Sequence, residues 1–158
     1  MLPRRRPHYA PAVPDVLIAT DSTSVTNEVR SVLGPDTTVR EVTRGARVVP
    51  EVQKKAPDLA ILDLQIGKMG GMATCLDLHL EEGAGRLPHV PVLILLDRRA
   101  DVFLARRSHA EGRVVKPLDP MRLSRAIRKL LDGGQYHDES YRPPTVALPT
   151  GPPVAPAR

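Results

Sequence analysis

At 158 residues the chain has room for one domain and not comfortably for two. Hydrophobic residues make up 41% and charged residues 26%, ordinary for a soluble globular protein, and the apolar runs at 92–96 and 59–62 fall far short of the roughly 20 residues that cross a bilayer. The net charge of +5 is unevenly placed: residues 1–14 carry three arginines and no acid, while residues 15–133 carry 18 basic and 16 acidic side chains.

A balanced body with 3% aromatic residues lacks the basic stripe and stacking side chains of a nucleic-acid reader, so no nucleic acid is expected. No apolar run suited to a signal peptide follows Arg4, Arg5 and Arg6. Cys75 is the sole cysteine, which excludes an intramolecular disulfide. A cytoplasmic location and no membrane contact are expected.

Pro3, Pro7, Pro11 and Pro14 give residues 1–14 the composition of a disordered basic tail. Strands and helices then alternate through residues 15–133. Val16 to Ala19 is a short apolar strand followed by Thr20 and Asp21. Val25, Val29, Val32 and Leu33 recur on one helical face, and Gly34-Pro35 ends that helix. Thr38 to Val42 is a β-branched strand candidate.

Val48, Val49 and Val52 suggest a second helix, with Pro50 tolerated only in its first turn. Asp58 to Asp63 reads as a buried strand. The glycine-bearing loop from Gly67 to Gly71 leads to a third helix with Met72, Leu76 and Leu80 as its apolar face. Val90 to Leu96 is the fourth strand, Asp101 to His109 a helix, and Val114-Val115 a short fifth strand. Asp119 and Pro120 open the last helix as N-cap and first residue; Leu123, Ile127, Leu130 and Leu131 are its apolar face.

Gly133-Gly134 stops that helix. Residues 134–158 contain six further prolines from Pro143 to Pro156 and are expected to be a disordered tail, or a ligand for a proline-binding groove.

Near-continuous apolar strands alternating with one-sided helices predict a doubly wound α/β fold: a parallel sheet covered on both faces. Five strands fit the flavodoxin-like order 2-1-3-4-5, whose functional crevice lies beyond the carboxyl ends of strands 1 and 3. Asp21 and Asp63 should therefore converge there, with Lys116 on the other side of strand 3. Singly, each has a plainer reading as a turn, cap or solvated residue. Together, two carboxylates and an ammonium could hold Mg²⁺ and balance a phosphoryl group. A carboxylate can also attack phosphorus to form an acyl phosphate.

Residues 15–131 resemble the response-regulator receiver domain. Residues 57–63, reading Pro-Asp-Leu-Ala-Ile-Leu-Asp, look like that family's strand leading to its phosphoryl-accepting aspartate. Met69 and Gly71 fit its following loop, and residues 90–95 its fourth strand. Residues 114–120, reading Val-Val-Lys-Pro-Leu-Asp-Pro, look like its lysine–proline motif. The resemblance implies that Asp63 accepts phosphoryl from a histidine kinase or other phosphodonor protein. It implies that Asp21, Asp63 and the Gln65 backbone carbonyl bind Mg²⁺, that Lys116 contacts the phosphoryl group, and that the Lys116–Pro117 bond is cis.

Several positions depart from the family pattern. Thr20-Asp21 stands where two consecutive acids are usual, which predicts weaker Mg²⁺ binding. Leu96 takes the place of a small hydroxyl residue and has no donor to offer. Arg113 takes the place of an aromatic switch residue, and a charged side chain swings inward only at a cost. Gly67 and Lys68 replace a proline–glycine pair.

The expected protein is thus an atypical stand-alone receiver in two-component phosphorelay signalling. It would not be an enzyme beyond Mg²⁺-assisted self-phosphorylation and dephosphorylation of Asp63. Its output would be a protein contact through helix 4, strand 5 and helix 5, where Arg98, Arg99, Arg106, Arg107 and Arg113 cluster or form a solvated face. A homodimer is left open. The first alternative is a phosphorylation-independent pseudo-receiver acting as a scaffold. The second is a small flavodoxin-like nucleotide or flavin binder, although no glycine–lysine phosphate loop and no flavin-stacking aromatics are present. His79, His89, His109 and His137 show no metal-ligand spacing, and Cys75 reads as a buried filler.

Overall fold

The apolar runs become strands with alternate side chains sorted to opposite faces of one sheet. A computed structural model describes residues 13–140 of the chain. Its elements are β1 (Asp15–Ala19), α1 (Thr23–Val32), β2 (Thr38–Val42), α2 (Val48–Lys54), β3 (Leu59–Asp63), α3 (Gly71–Gly83), β4 (Val92–Leu96), α4 (Val102–Arg107), β5 (Gly112–Val115), α5 (Pro120–Leu131) and β6 (Tyr136–His137). All the strand pairs are parallel, in the order β2-β1-β3-β4-β5-β6. The flavodoxin-like order 2-1-3-4-5 is present, extended by one strand.

Period-two alternation sends Leu17, Ala19, Ala60, Leu62, Ile94 and Leu96 to one face, against Val48 and Val52 of α2, Cys75 and Leu78 of α3, and Val102 and Ala105 of α4. Val16, Ile18, Leu59, Ile61, Leu93 and Leu95 face the other way, against Val25 and Val29 of α1 and Leu123, Ala126, Ile127 and Leu130 of α5. Because both faces are covered, β1, β3 and β4 are buried at every position.

The helix boundaries follow local chemistry. Ser22 caps α1 by accepting from the Val25 amide at 3.4 Å. Asp119 caps α5 through the Arg122 amide at 2.8 Å, with Pro120 as the first helical residue. Pro50 sits in the first turn of α2, where its missing N–H costs nothing. The helix expected from Asp101 to His109 is the shorter α4, entered through a single 3₁₀ turn at Arg99–Asp101.

Two expectations change. The expected face of α3, Met72, Leu76 and Leu80, is not the buried one. Leu80 is 69% exposed, while Gly71, Thr74, Cys75 and Leu78 point into the protein. Small residues let the start of α3 press against the end of β3; a Cβ on Gly71 would sit 2.5 Å from the Asp63 carbonyl oxygen.

The domain also does not end at residue 133. Gly133 takes φ +83°, a left-handed turn natural to glycine, and the Gly134 amide donates to the Lys129 carbonyl at 2.8 Å. This closure returns the chain along β5, where β6 pairs and Asp138 is buried. Residues 134–140, expected in the tail, are therefore part of the fold. The rest of the two expected tails, residues 1–12 and 141–158, lies outside the described residues. No helix among the described residues is long and apolar enough to cross a membrane.

Candidate functional site

Parallel pairing puts the carboxyl ends of β1, β3, β4 and β5 on one edge of the sheet. Ala19 pairs with Leu62, Asp63 with Leu95, and Leu96 with Val115. The residues that follow those strands, Thr20, Asp97 and Lys116, are therefore set around Asp63.

Asp63 is 2% exposed. Its Oδ1 accepts from Lys116 Nζ at 2.9 Å and from the Gln65 amide at 3.2 Å. Its Oδ2 accepts from the Thr20 hydroxyl at 2.8 Å. Thr20 Oγ1 in turn accepts from the Ser22 amide at 3.1 Å, which fixes the hydroxyl at the start of α1. A nearly buried carboxylate is tolerable here because donors surround it and an ammonium offsets its charge.

Lys116 Nζ also donates to Asp97 Oδ1 at 3.0 Å. Burial by itself would lower the lysine pKa. The hydrogen bonds and charges of Asp63 and Asp97 outweigh that and hold it above the ordinary lysine value. The Lys116–Pro117 bond is cis, as the resemblance implies. On its outer side Lys116 lines a shallow pocket with Arg99, Val115, Pro117, Arg122 and Ser140. The last of these comes from the segment after β6.

Asp21 lies at the same edge, exposed, with its Oδ2 accepting from the Gly67 amide at 3.3 Å. That bond ties the loop after β3 to the loop after β1. Within the β3–α3 loop Lys68 adopts φ +68°, a left-handed conformation that favours glycine. The oxygen donors that the resemblance assigns, from Asp21, Asp63 and the Gln65 carbonyl, are of the kind that suits a hard cation such as Mg²⁺, which takes one or two carboxylates and completes its shell with water or phosphate oxygens. No cage of three acidic, histidine or cysteine side chains exists among the described residues. Asp21 and Asp63 thus suit Mg²⁺ as a two-carboxylate donor set whose charge matches that of the ion.

The altered positions have definite places. Leu96 is fully buried in the core beneath α3 and α4. Arg113, expected at the switch position and in an arginine cluster that forms either a contact surface or a solvated face, is instead 7% exposed in β5, and its buried Nε has no hydrogen-bond partner. Asp97 was not anticipated. The available signal was its position one residue after an apolar strand that neighbours the Lys116 strand.

Residues 16–128 match the response regulator receiver domain family. The chain belongs to that family. An uncharacterised response regulatory protein of Mycobacterium tuberculosis is 33% identical to it over 123 residues, covering 73% of this chain and 90% of that protein. The DNA-binding response regulator MtrA of Mycolicibacterium smegmatis is 31% identical over 121 residues, but the match covers only 50% of MtrA. Among solved structures, a response regulator from Chloroflexus aurantiacus superposes with a TM-score of 0.67 at 22% identity, covering 75% of this chain and 97% of that one. The chain is a receiver domain of two-component signalling. That membership favours the receiver reading over the nucleotide- or flavin-binding alternative.

Proposed function

We propose that this receiver accepts a phosphoryl group on Asp63 from a histidine kinase or other phosphodonor protein and passes the signal on by protein contact. The observation that carries the reading is the buried Asp63 carboxylate held by Lys116 at 2.9 Å at the carboxyl edge of the sheet. In the transfer, an Asp63 oxygen attacks phosphorus, the bond from phosphorus to the donor nitrogen breaks, and that nitrogen keeps the electron pair. Lys116 supplies a positive charge to the arriving oxygens. Asp21, Asp63 and the Gln65 carbonyl would hold Mg²⁺, which supplies charge neutralisation at the phosphoryl oxygens.

The experiment is incubation with acetyl phosphate and Mg²⁺. The expected result is a mass increase that survives acid, is lost in base and is absent in Asp63→Ala. An unmodified wild-type protein across donor and Mg²⁺ concentrations would refute the reading.

A second reading, a constitutive scaffold, draws support from Leu96. With that side chain sealed in the core, no hydroxyl reports a phosphoryl group from this position. Output would then run through α4, β5 and α5 without a switch. A scaffold predicts no change in amide resonances around Asp63 and β5 on adding beryllofluoride and Mg²⁺.

A further inference from the structure

Asp97 is an acid at this edge with no part in the expected site. It follows β4 directly, and Lys116 Nζ lies 3.0 Å from its Oδ1 and 2.9 Å from Asp63 Oδ1. With the ammonium between them, the two carboxylate oxygens are no more than about 6 Å apart, the two bonds laid end to end. Asp97 Oδ2 is buried and accepts no hydrogen bond. Thus the second carboxylate is drawn in by Lys116 and otherwise incompletely served.

Phosphorylation turns the Asp63 monoanion into a dianion and asks Lys116 to serve the new oxygens. The added charge falls beside Asp97, and the lysine is already divided. We propose that Asp97 is a positioning residue that holds Lys116 in the resting protein and opposes a phosphoryl group on Asp63, keeping the modified state at low occupancy. This rests on the reading of Asp63 given above. For unit charges about 6–7 Å apart at an effective dielectric of about 40, raised above the usual value of roughly 20 because Asp97 is partly open to water, the opposition amounts to a factor on the order of ten in occupancy.

The geometry argues against a purely structural role. Asp63 alone already balances the charge of Lys116 in a nearly buried setting, so a second carboxylate is not needed for neutrality. Asp97, whose side chain is 33% exposed, would lose little by turning to water. The buried orphan oxygen shows it turned inward instead.

The test is a titration of the full chain with beryllofluoride in the presence of Mg²⁺, read by amide resonances. Wild type is compared with Asp97→Asn, Asp97→Ala and Asp97→Glu, and thermal unfolding establishes that each is folded. Removing the charge should tighten beryllofluoride binding about tenfold in both the Asn and Ala variants. Asp97→Glu, which keeps the charge, should stay near wild type. Titration with Mg²⁺ alone separates electrostatics from structure: neutralising an acid should leave Mg²⁺ affinity unchanged or weaker while the mimic binds more tightly, whereas disruption of the site would weaken both.

Binding within twofold of wild type in the Asn and Ala variants, or weaker binding, overturns the role of Asp97 and leaves that of Asp63 standing. Binding seen only in the neutral variants supports the role. No binding in any of the four proteins, with no acyl phosphate on wild type, overturns the Asp63 reading and this one with it.

Discussion

Asp138 is the residue through which the sixth strand can be tested. It follows β6 and is 1% exposed. Its Oδ2 accepts from the Val115 amide at 3.0 Å and from Arg122 Nη1 at 3.0 Å; its Oδ1 accepts from the Ser140 amide at 2.9 Å. Replacing it with alanine strands the Val115 amide in a buried setting, which costs about 1–3 kcal/mol, and removes a charge-assisted bond to Arg122 worth about 1 kcal/mol at its partly exposed end. We therefore expect Asp138→Ala to lower unfolding stability in urea by about 3 kcal/mol and to speed hydrogen exchange at Val115.

Burial by itself would raise the Asp138 pKa, but the bonds from Ser140 and Val115 and the charge of Arg122 prevail and lower it below the ordinary 3.8. A depressed carboxylate contributes its stability above its unfolded pKa and loses it as pH falls through the folded value. The acid limb of the stability curve should accordingly be shallower in Asp138→Asn. Stability within 0.5 kcal/mol of wild type, together with a Val115 amide still protected in Asp138→Ala, would refute the idea that this residue locks the strand.

Three further outcomes are expected. His89 lies between Glu82 and Glu111, at 3.0 and 3.2 Å; the Glu111 bond is the largest cause holding its pKa up at about 9. A raised pKa gives stability that is complete below about 6.5 and lost as pH rises through 9. Urea unfolding should thus show a loss of about 1 kcal/mol over that window, after allowance for screening of the half-exposed ring, and His89→Gln should remove the dependence. Gly71→Ala should cost about 2–3 kcal/mol in thermal or urea unfolding, because the new methyl meets the fixed Asp63 backbone at 2.5 Å. Cys75 is fully buried and its thiol is pushed up to about 12 by burial, so a thiol reagent should modify it only at the rate of unfolding.

Much of this protein was legible along the chain because the relevant physics is local. Strand runs, the Ser22–α1 and Asp119–Pro120 starts and the Gly133 stop each depend on a few adjacent residues, and they fix an alternating α/β order. That order, with the handedness of parallel crossovers, brings Asp63, Lys116 and Asp21 to one edge before any coordinate is known. Packing decided what neighbouring residues cannot. Two apolar stripes run along α3, and only contact with β3 and α2 selects the one bearing Cys75 and Leu78. Two residues, Tyr136 and His137, carry no periodicity of their own and become a strand only because β5 presents an open edge beside them. Asp97 becomes part of the site through Lys116, which lies 19 positions away, and Arg113 is buried in a strand that lies inside the sheet, between β4 and β6. Such pairings depend on which elements end up side by side, a property of the folded chain that no short window of sequence encodes.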